Sequence, residues 1–272
     1  MNLRPAVWMK ASISNLLVAN MTRTAVLAGL LFCTITPTLK AAPDHAEPCS
    51  AADLSGAYGL LQSGNIISVG PFSSVGIAEF DGSGHWTLAE SLSVNGVLGH
   101  SLGSGDYIVN GNCTGTMVLR FNDGTAPRNM SMIVLSEGAE MHIIVSNPGN
   151  VTTAVLKTVK SRQCSNATLQ GDYSYVQNGS VVGEGPFASL GFTRFDGAGG
   201  LSTIEFTSRN GMITPGAIVF GSGTYQVNAD CTGYAIASGK PRDLVIVDHG
   251  KEYYTMVTVP GRAITGVQKR QE

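Results

Sequence analysis

Gly103 to Gly115 reads GSGDYIVNGNCTG, and Gly221 to Gly233 reads GSGTYQVNADCTG. A chain that repeats itself this closely folds as two related units, so the duplication constrains it more than composition does. The repeat extends outward from that stretch. Cys49, Leu54, Gly56 and Tyr58 return 115 positions later as Cys164, Leu169, Gly171 and Tyr173. Phe80-Asp81-Gly82 and Asn95-Gly96 return at the same offset as Phe195-Asp196-Gly197 and Asn210-Gly211. Past a three-residue insertion ahead of Gly221 the offset is 118, and past later deletions it settles at 112, where Glu140 and Lys157 recur as Glu252 and Lys269. Two copies of ordinary single-domain size follow. The expected divisions are an N-terminal extension and signal peptide (1–41), a linker (42–48), a first repeat (49–160) and a second (161–272).

The first 48 residues lie outside the repeat. From Met21 they read as a secretory signal, with Arg23 as a short basic region, an apolar core from Ala25 to Thr36, and a small-residue exit near Ala41 or Ala42. That core is short for a membrane span. Residues before Met21 read as an upstream extension. Charged residues make up 13% of the chain and the formal net charge is −2. No basic stripe exists to release counterions from a phosphate backbone, so a nucleic-acid partner is not expected, nor a membrane partner once the signal is cleaved. The expected compartment is the periplasm or the exterior.

Removal of Cys33 with the signal leaves four cysteines, one at the head of each repeat and one before each Thr-Gly. An even, duplicated count points to two intra-repeat disulfides, Cys49 with Cys113 and Cys164 with Cys231, with four buried thiols as the alternative. No Cys-x-x-Cys spacing suggests zinc. Each bridge is worth roughly 4 kcal/mol on the chain-entropy model.

Within a copy, segments rich in Val, Ile, Thr, Tyr and Phe alternate with period two, and helical periodicity is missing. Strands are expected near Gly56–Ser63, Phe72–Phe80, Trp86–Val94, Ser101–Val109, Thr116–Phe121, Met130–Leu135, Glu140–Ser146 and Thr152–Val159. Asp81-Gly82, Asn95-Gly96 and Pro148-Gly149 carry the turn chemistry between them. The fold class is therefore all-β: two tandem eight-stranded antiparallel up-and-down β-barrels, closed so that no edge is left, with two β-sandwiches as the alternative. In such a meander, the entry to strand one and the turn after strand four lie at one end, where Cys49 and Cys113 would meet.

The paired Gly56/Tyr58, Phe80-Asp81-Gly82/Gly84 and Cys113-Thr114-Gly115 elements, with their second copies, resemble those of a group of uncharacterised exported bacterial proteins. That resemblance spans both repeats and brings no activity with it. A looser likeness to lipocalin-type and allene-oxide-cyclase-type barrels concerns the fold only.

Candidate sites are few. Glu90 and Glu205 recur in mid-strand, and alternation puts Glu90 on the face of Trp86, Leu88 and Leu92. A carboxylate buried there is an acid or base candidate, with Arg120 and Arg194 as possible partners. Tyr58, Tyr173, Tyr107 and Tyr225 are the recurring hydroxyls able to reach it across a small barrel. Asp81 and Asp196 read as turn caps, because a calcium loop needs several carboxylates. Glu140, Glu252, Lys157 and Lys269 recur near strand ends, where solvated positions are the default. No metal ligand set, cofactor loop or nucleophile motif is found. The expected function is an exported small-ligand-binding or interaction module with a small-molecule or protein partner. The alternative is an isomerase- or cyclase-type barrel enzyme using Glu90 or Glu205, and an enzymatic role is the less favoured of the two.

Overall fold

The computed structural model describes residues 48–160, 163–213 and 218–271. The expected signal peptide, most of the linker and part of the expected boundary between the copies lie outside the described residues.

The first copy is a closed barrel of eight strands: β1 (Ser55–Ile66), β2 (Gly70–Asp81), β3 (His85–Val94), β4 (Val97–Val109), β5 (Thr114–Phe121), β6 (Arg128–Leu135), β7 (Glu140–Val145) and β8 (Asn150–Thr158). Each pairs antiparallel with the next, and β8 returns to β1. The second copy repeats the plan with β9 (Gln170–Val181), β10 (Gly185–Asp196), β11 (Gly200–Arg209), β13 (Ile218–Val227), β14 (Thr232–Ala237), β15 (Lys240–Val247), β16 (Glu252–Val257) and β17 (Arg262–Arg270). A two-residue strand, β12 (Met212–Ile213), follows β11 and pairs with it, and β9 closes on β17. β12 takes the place of the start of β4 in the first copy, Met212 pairing with Arg209 as Val97 pairs with Val94.

Local chemistry explains the meander. Asn95 and Gly96 adopt φ of 48° and 80°, and Asn210 and Gly211 adopt 47° and 80°. Two consecutive positive φ values make a two-residue hairpin turn whose twist matches the strands, so Val94 pairs directly with Val97. Asp81 accepts hydrogen bonds from the Ser83 and His85 amides at 2.7 and 3.0 Å, and Asp196 does the same for the residues after it. The Ser83 hydroxyl, which donates to Asp81 at 2.6 Å, and then the His85 and Ser83 amides hold the exposed Asp81 carboxyl down at about 2. Both aspartates act as turn caps.

Both disulfides form within a repeat, Cys49 with Cys113 and Cys164 with Cys231, with Cα atoms 5.0 and 4.9 Å apart. They close the same end of each barrel and belong to an oxidising, non-cytoplasmic environment. Above them the interior is solid. Phe80 stacks on Trp86 and meets Tyr58 and Tyr107 edge-on, and in the second copy Phe195 meets Tyr173, Tyr225 and Tyr253. Met117, Met130, Met132 and Met141 fill the remaining space of the first barrel. Eight strands leave an interior that side chains can fill, and here they do so at the disulfide end.

Candidate functional site

The tyrosines belong to the packed end. Tyr58 donates to the Gly138 carbonyl at 2.8 Å and Tyr173 to the Gly250 carbonyl at 2.6 Å. Tyr107 donates to the Leu54 carbonyl at 3.1 Å and Tyr225 to that of Leu169 at 2.9 Å. Burial pushes the Tyr58 hydroxyl up to about 12. Tyr107 and Tyr225 tie the entering chain to the closed end of each barrel, Tyr58 and Tyr173 tie the turn at Gly138 or Gly250 to it, and the structure does not bring their hydroxyls to Glu90 or Glu205.

Glu90 is where alternation places it, inside the first barrel, with a fully buried side chain. Its partner is not Arg120. Parity sends Arg120 outward, beside Leu119 which faces in, and it pairs with Asp106 at 2.9 Å; Arg194 is likewise outside and pairs with Asp172 at 2.7 Å. The cation that meets Glu90 is Arg128, at the open end of β6, 3.2 Å away. Ser101 donates to the same carboxylate oxygen at 2.9 Å. Arg128 also donates to Gln62 at 3.1 Å, Gln62 donates to Thr152 at 3.1 Å, and the guanidinium lies over the rings of Phe121 and Phe72. A buried charge must be matched by an opposite charge and hydrogen bonds, and this network supplies both to Glu90 Oε1, while Oε2 is buried without a hydrogen-bond partner among the described residues. The first barrel is thereby sealed by one neutralised pair.

The second barrel keeps the pair but changes its surroundings. Glu205 stands for Glu90, Gln177 for Gln62, and Lys240, at offset 112, for Arg128. Three neutral residues of the first copy have become arginines: Val94 is matched by Arg209, Met130 by Arg242 and Asn150 by Arg262. Glu205, Lys240, Arg242, Arg262, Gln177 and Tyr175 line a cavity of about 20 Å³ at the barrel mouth. Burial lowers the Lys240 ammonium pKa; Arg262, Arg209 and Arg242 push the same way, and Glu205 opposes them. Burial pushes the Tyr175 hydroxyl up to about 12.

Donors here are under-used. Ser189 donates to the Gln177 side-chain oxygen at 3.3 Å, but the Gln177 amide nitrogen, the Arg242 Nε and the Ser238 hydroxyl are buried without a hydrogen-bond partner among the described residues. Gln177 is only 2% exposed. Buried polar groups are normally satisfied, so two N–H groups and a hydroxyl left over at one mouth set it apart from the packed end. The size of the cavity admits one or two water-sized groups.

The recurring Glu140, Lys157, Glu252 and Lys269 are not all solvated. Lys157 of the first barrel reaches Glu252 of the second at 2.9 Å, and Glu252 is buried. Burial alone would lower the Lys157 ammonium pKa, but Glu252 and Glu140 outweigh it and hold it raised. A shallower groove of about 950 Å³ runs beside β2, β3 and the loop at Asp230. Its lining is largely Gly, Ala and short polar residues, without convergent buried donors.

No family model matches the chain, and no curated protein does. Among solved structures, a protein of unknown function from the DUF3598 family of Nostoc punctiforme aligns with 10% identity over 82% of this chain and 99% of its own, at a TM-score of 0.27. CghA, crystallised with Sch210972, aligns with 9% identity over 84% of this chain and 94% of its own, at a TM-score of 0.29. At such scores neither likeness carries an argument about what this chain does.

Proposed function

We propose that the chain is an exported small-ligand-binding module, working in the periplasm or outside the cell. Its ligand carries an oxyanion group, a carboxylate, sulfate or phosphate, held in the mouth of the second barrel. The observation that carries this reading is the replacement of Val94, Met130 and Asn150 of the first copy by Arg209, Arg242 and Arg262 around Lys240. Lys240, Arg242 and Arg262 line the mouth against the carboxylate of Glu205, while Arg209 beside them pairs with Glu184 at 3.7 Å. Three cations against one carboxylate repel one another in a partly buried site, which costs stability unless a counter-charge is bound. The unpartnered Gln177 amide and Arg242 Nε add directed donors, and Arg can grip an oxyanion through two parallel N–H bonds. A cavity of about 20 Å³ suits the charged head of a ligand and leaves its remainder outside.

Thermal unfolding in sulfate or acetate, against chloride at equal ionic strength, tests this reading. A ligand that binds only the folded state raises Tm with its concentration. Sulfate is expected to raise Tm more than chloride. Arg242→Met with Arg262→Asn, which restores the first copy's residues, is expected to fold and to lose that rise. Equal effects of sulfate and chloride, or a rise that survives the double change, would overturn the proposal.

A further inference from the structure

The two barrels touch through different faces. The first contributes the outer wall of β1 and β2, with Leu61, Val75 and Ile77; the second contributes that of β15 to β17, with Val245, Tyr254 and Met256. Because the copies are homologous, each face exists twice. Offset 115 carries Leu61, Val75 and Ile77 onto Val176, Leu190 and Phe192, and offset 112 carries Val245, Tyr254 and Met256 back onto Ile133, His142 and Ile144. An isologous contact would engage the same patch on both partners, whereas a heterologous one always leaves a complementary pair of faces over.

The leftover faces are apolar and open. Val176, Leu190 and Phe192 are 55%, 56% and 36% exposed, and Ile133 and Ile144 are 52% and 53% exposed. Leu190 lies directly across from Val176 on one side and Phe206 on the other, so these residues form one patch across three strands. Ile133, His142 and Ile144 line a groove of about 390 Å³ on the first barrel. The wall of an antiparallel barrel that faces water is normally polar at these alternate positions, so the apolar character calls for a cover.

The polar contacts at the rim are duplicated as well. Inside the chain, Lys157 meets Glu252, and the Gly261 amide donates to the Gly96 carbonyl at 2.8 Å. Their counterparts on the leftover faces are Lys269 with Glu140, and Gly149 with Gly211. The Lys269 side chain is 64% exposed, and both glycines have open space where a side chain would begin. Two positions differ in kind. His142, which stands for Tyr254, is polar and meets Glu140 at 3.0 Å. Gly59 lies tight against Val245 and Val247, and its counterpart is Ser174, so the repeated contact is looser there.

From these correspondences we infer that a second copy of this chain docks head to tail, with the outer wall of its β9 and β10 seated on the β6 to β8 wall of the first, repeating the contact made within each chain. Such an interface gives a ring if the rotation closes and an open chain otherwise.

Sedimentation velocity of the intact chain over a wide concentration range tests this. The wild type is expected to associate. Leu190→Lys and Ile144→Lys each remove one free face at an exposed position, so each variant should keep its circular dichroism spectrum and associate at least ~tenfold more weakly. Mixing the two variants leaves one good face on each, and should restore association but stop at a dimer. A wild type that stays monomeric throughout would overturn the inference and leave these faces to another partner. Association that both variants leave intact, or that mixing fails to restore, would overturn it too.

Discussion

Glu90 and Arg128, 3.2 Å apart, pair inside the first barrel, while their counterparts Glu205 and Lys240 share the mouth of the second with Arg242 and Arg262. The same scaffold has thus been closed in one copy and charged in the other. For the closed copy the consequence is energetic. Removing one member of a buried pair strands the other charge, whereas removing both with apolar residues does not. Arg128→Met is therefore expected to cost about 3 kcal/mol in urea unfolding, and Glu90→Leu with Arg128→Met much less. A single change costing under about 0.5 kcal/mol, as exposed pairs often do, would mean that the pair is not buried in solution.

The charged copy makes a prediction in pH. Lys240 loses its proton at lower pH than an ordinary lysine, because burial and then the neighbouring arginines disfavour its charge. A bound anion favours that charge and raises the pKa, so binding takes up a proton. Sulfate, which does not itself titrate in this range, is therefore expected to bind more weakly as pH rises through the Lys240 pKa of the empty site. Lys240→Gln should flatten the profile. An affinity that rises with pH would contradict this assignment.

Docking between the barrels separates two equivalent positions. Val75 is 2% exposed against the second barrel and its counterpart Leu190 is 56% exposed. Val75→Asp buries an unpaired charge and is expected to cost at least ~2 kcal/mol, whereas Leu190→Asp, compared at dilution where the chain is monomeric, should change stability by no more than about 0.5 kcal/mol. Urea midpoints of the two variants, with an unchanged denaturant slope, make the comparison. Equal effects would mean that the barrels do not pack as described.

Much of the fold was legible in the sequence because its determinants are local. Asn95-Gly96 dictates a hairpin, alternation along His85–Val94 separates inside from outside, and duplicated cysteines locate one end of each barrel. Partners across the barrel were not legible. Arg120 and Arg128 are equally plausible mates for Glu90 by type, and only the parity of their strands sends one outward and the other in. Recurrence picks out Glu205, which lines the proposed site, and also tyrosines that do not reach it. The tyrosines recur because both barrels need the same plug, so repetition marked packing. The candidate site lies where the copies part, at Arg242 against Met130 and Arg262 against Asn150. Those differences are present in the alignment of the repeats, but nothing in one dimension shows that they face a common cavity.

The most direct test of an anion site confined to one barrel is its stoichiometry. Isothermal titration of sulfate into the intact chain is expected to give one site per chain, although the chain contains two barrels, and none in the Arg242→Met/Arg262→Asn variant. Two equivalent sites, or undiminished binding after both arginines are replaced, would contradict the account.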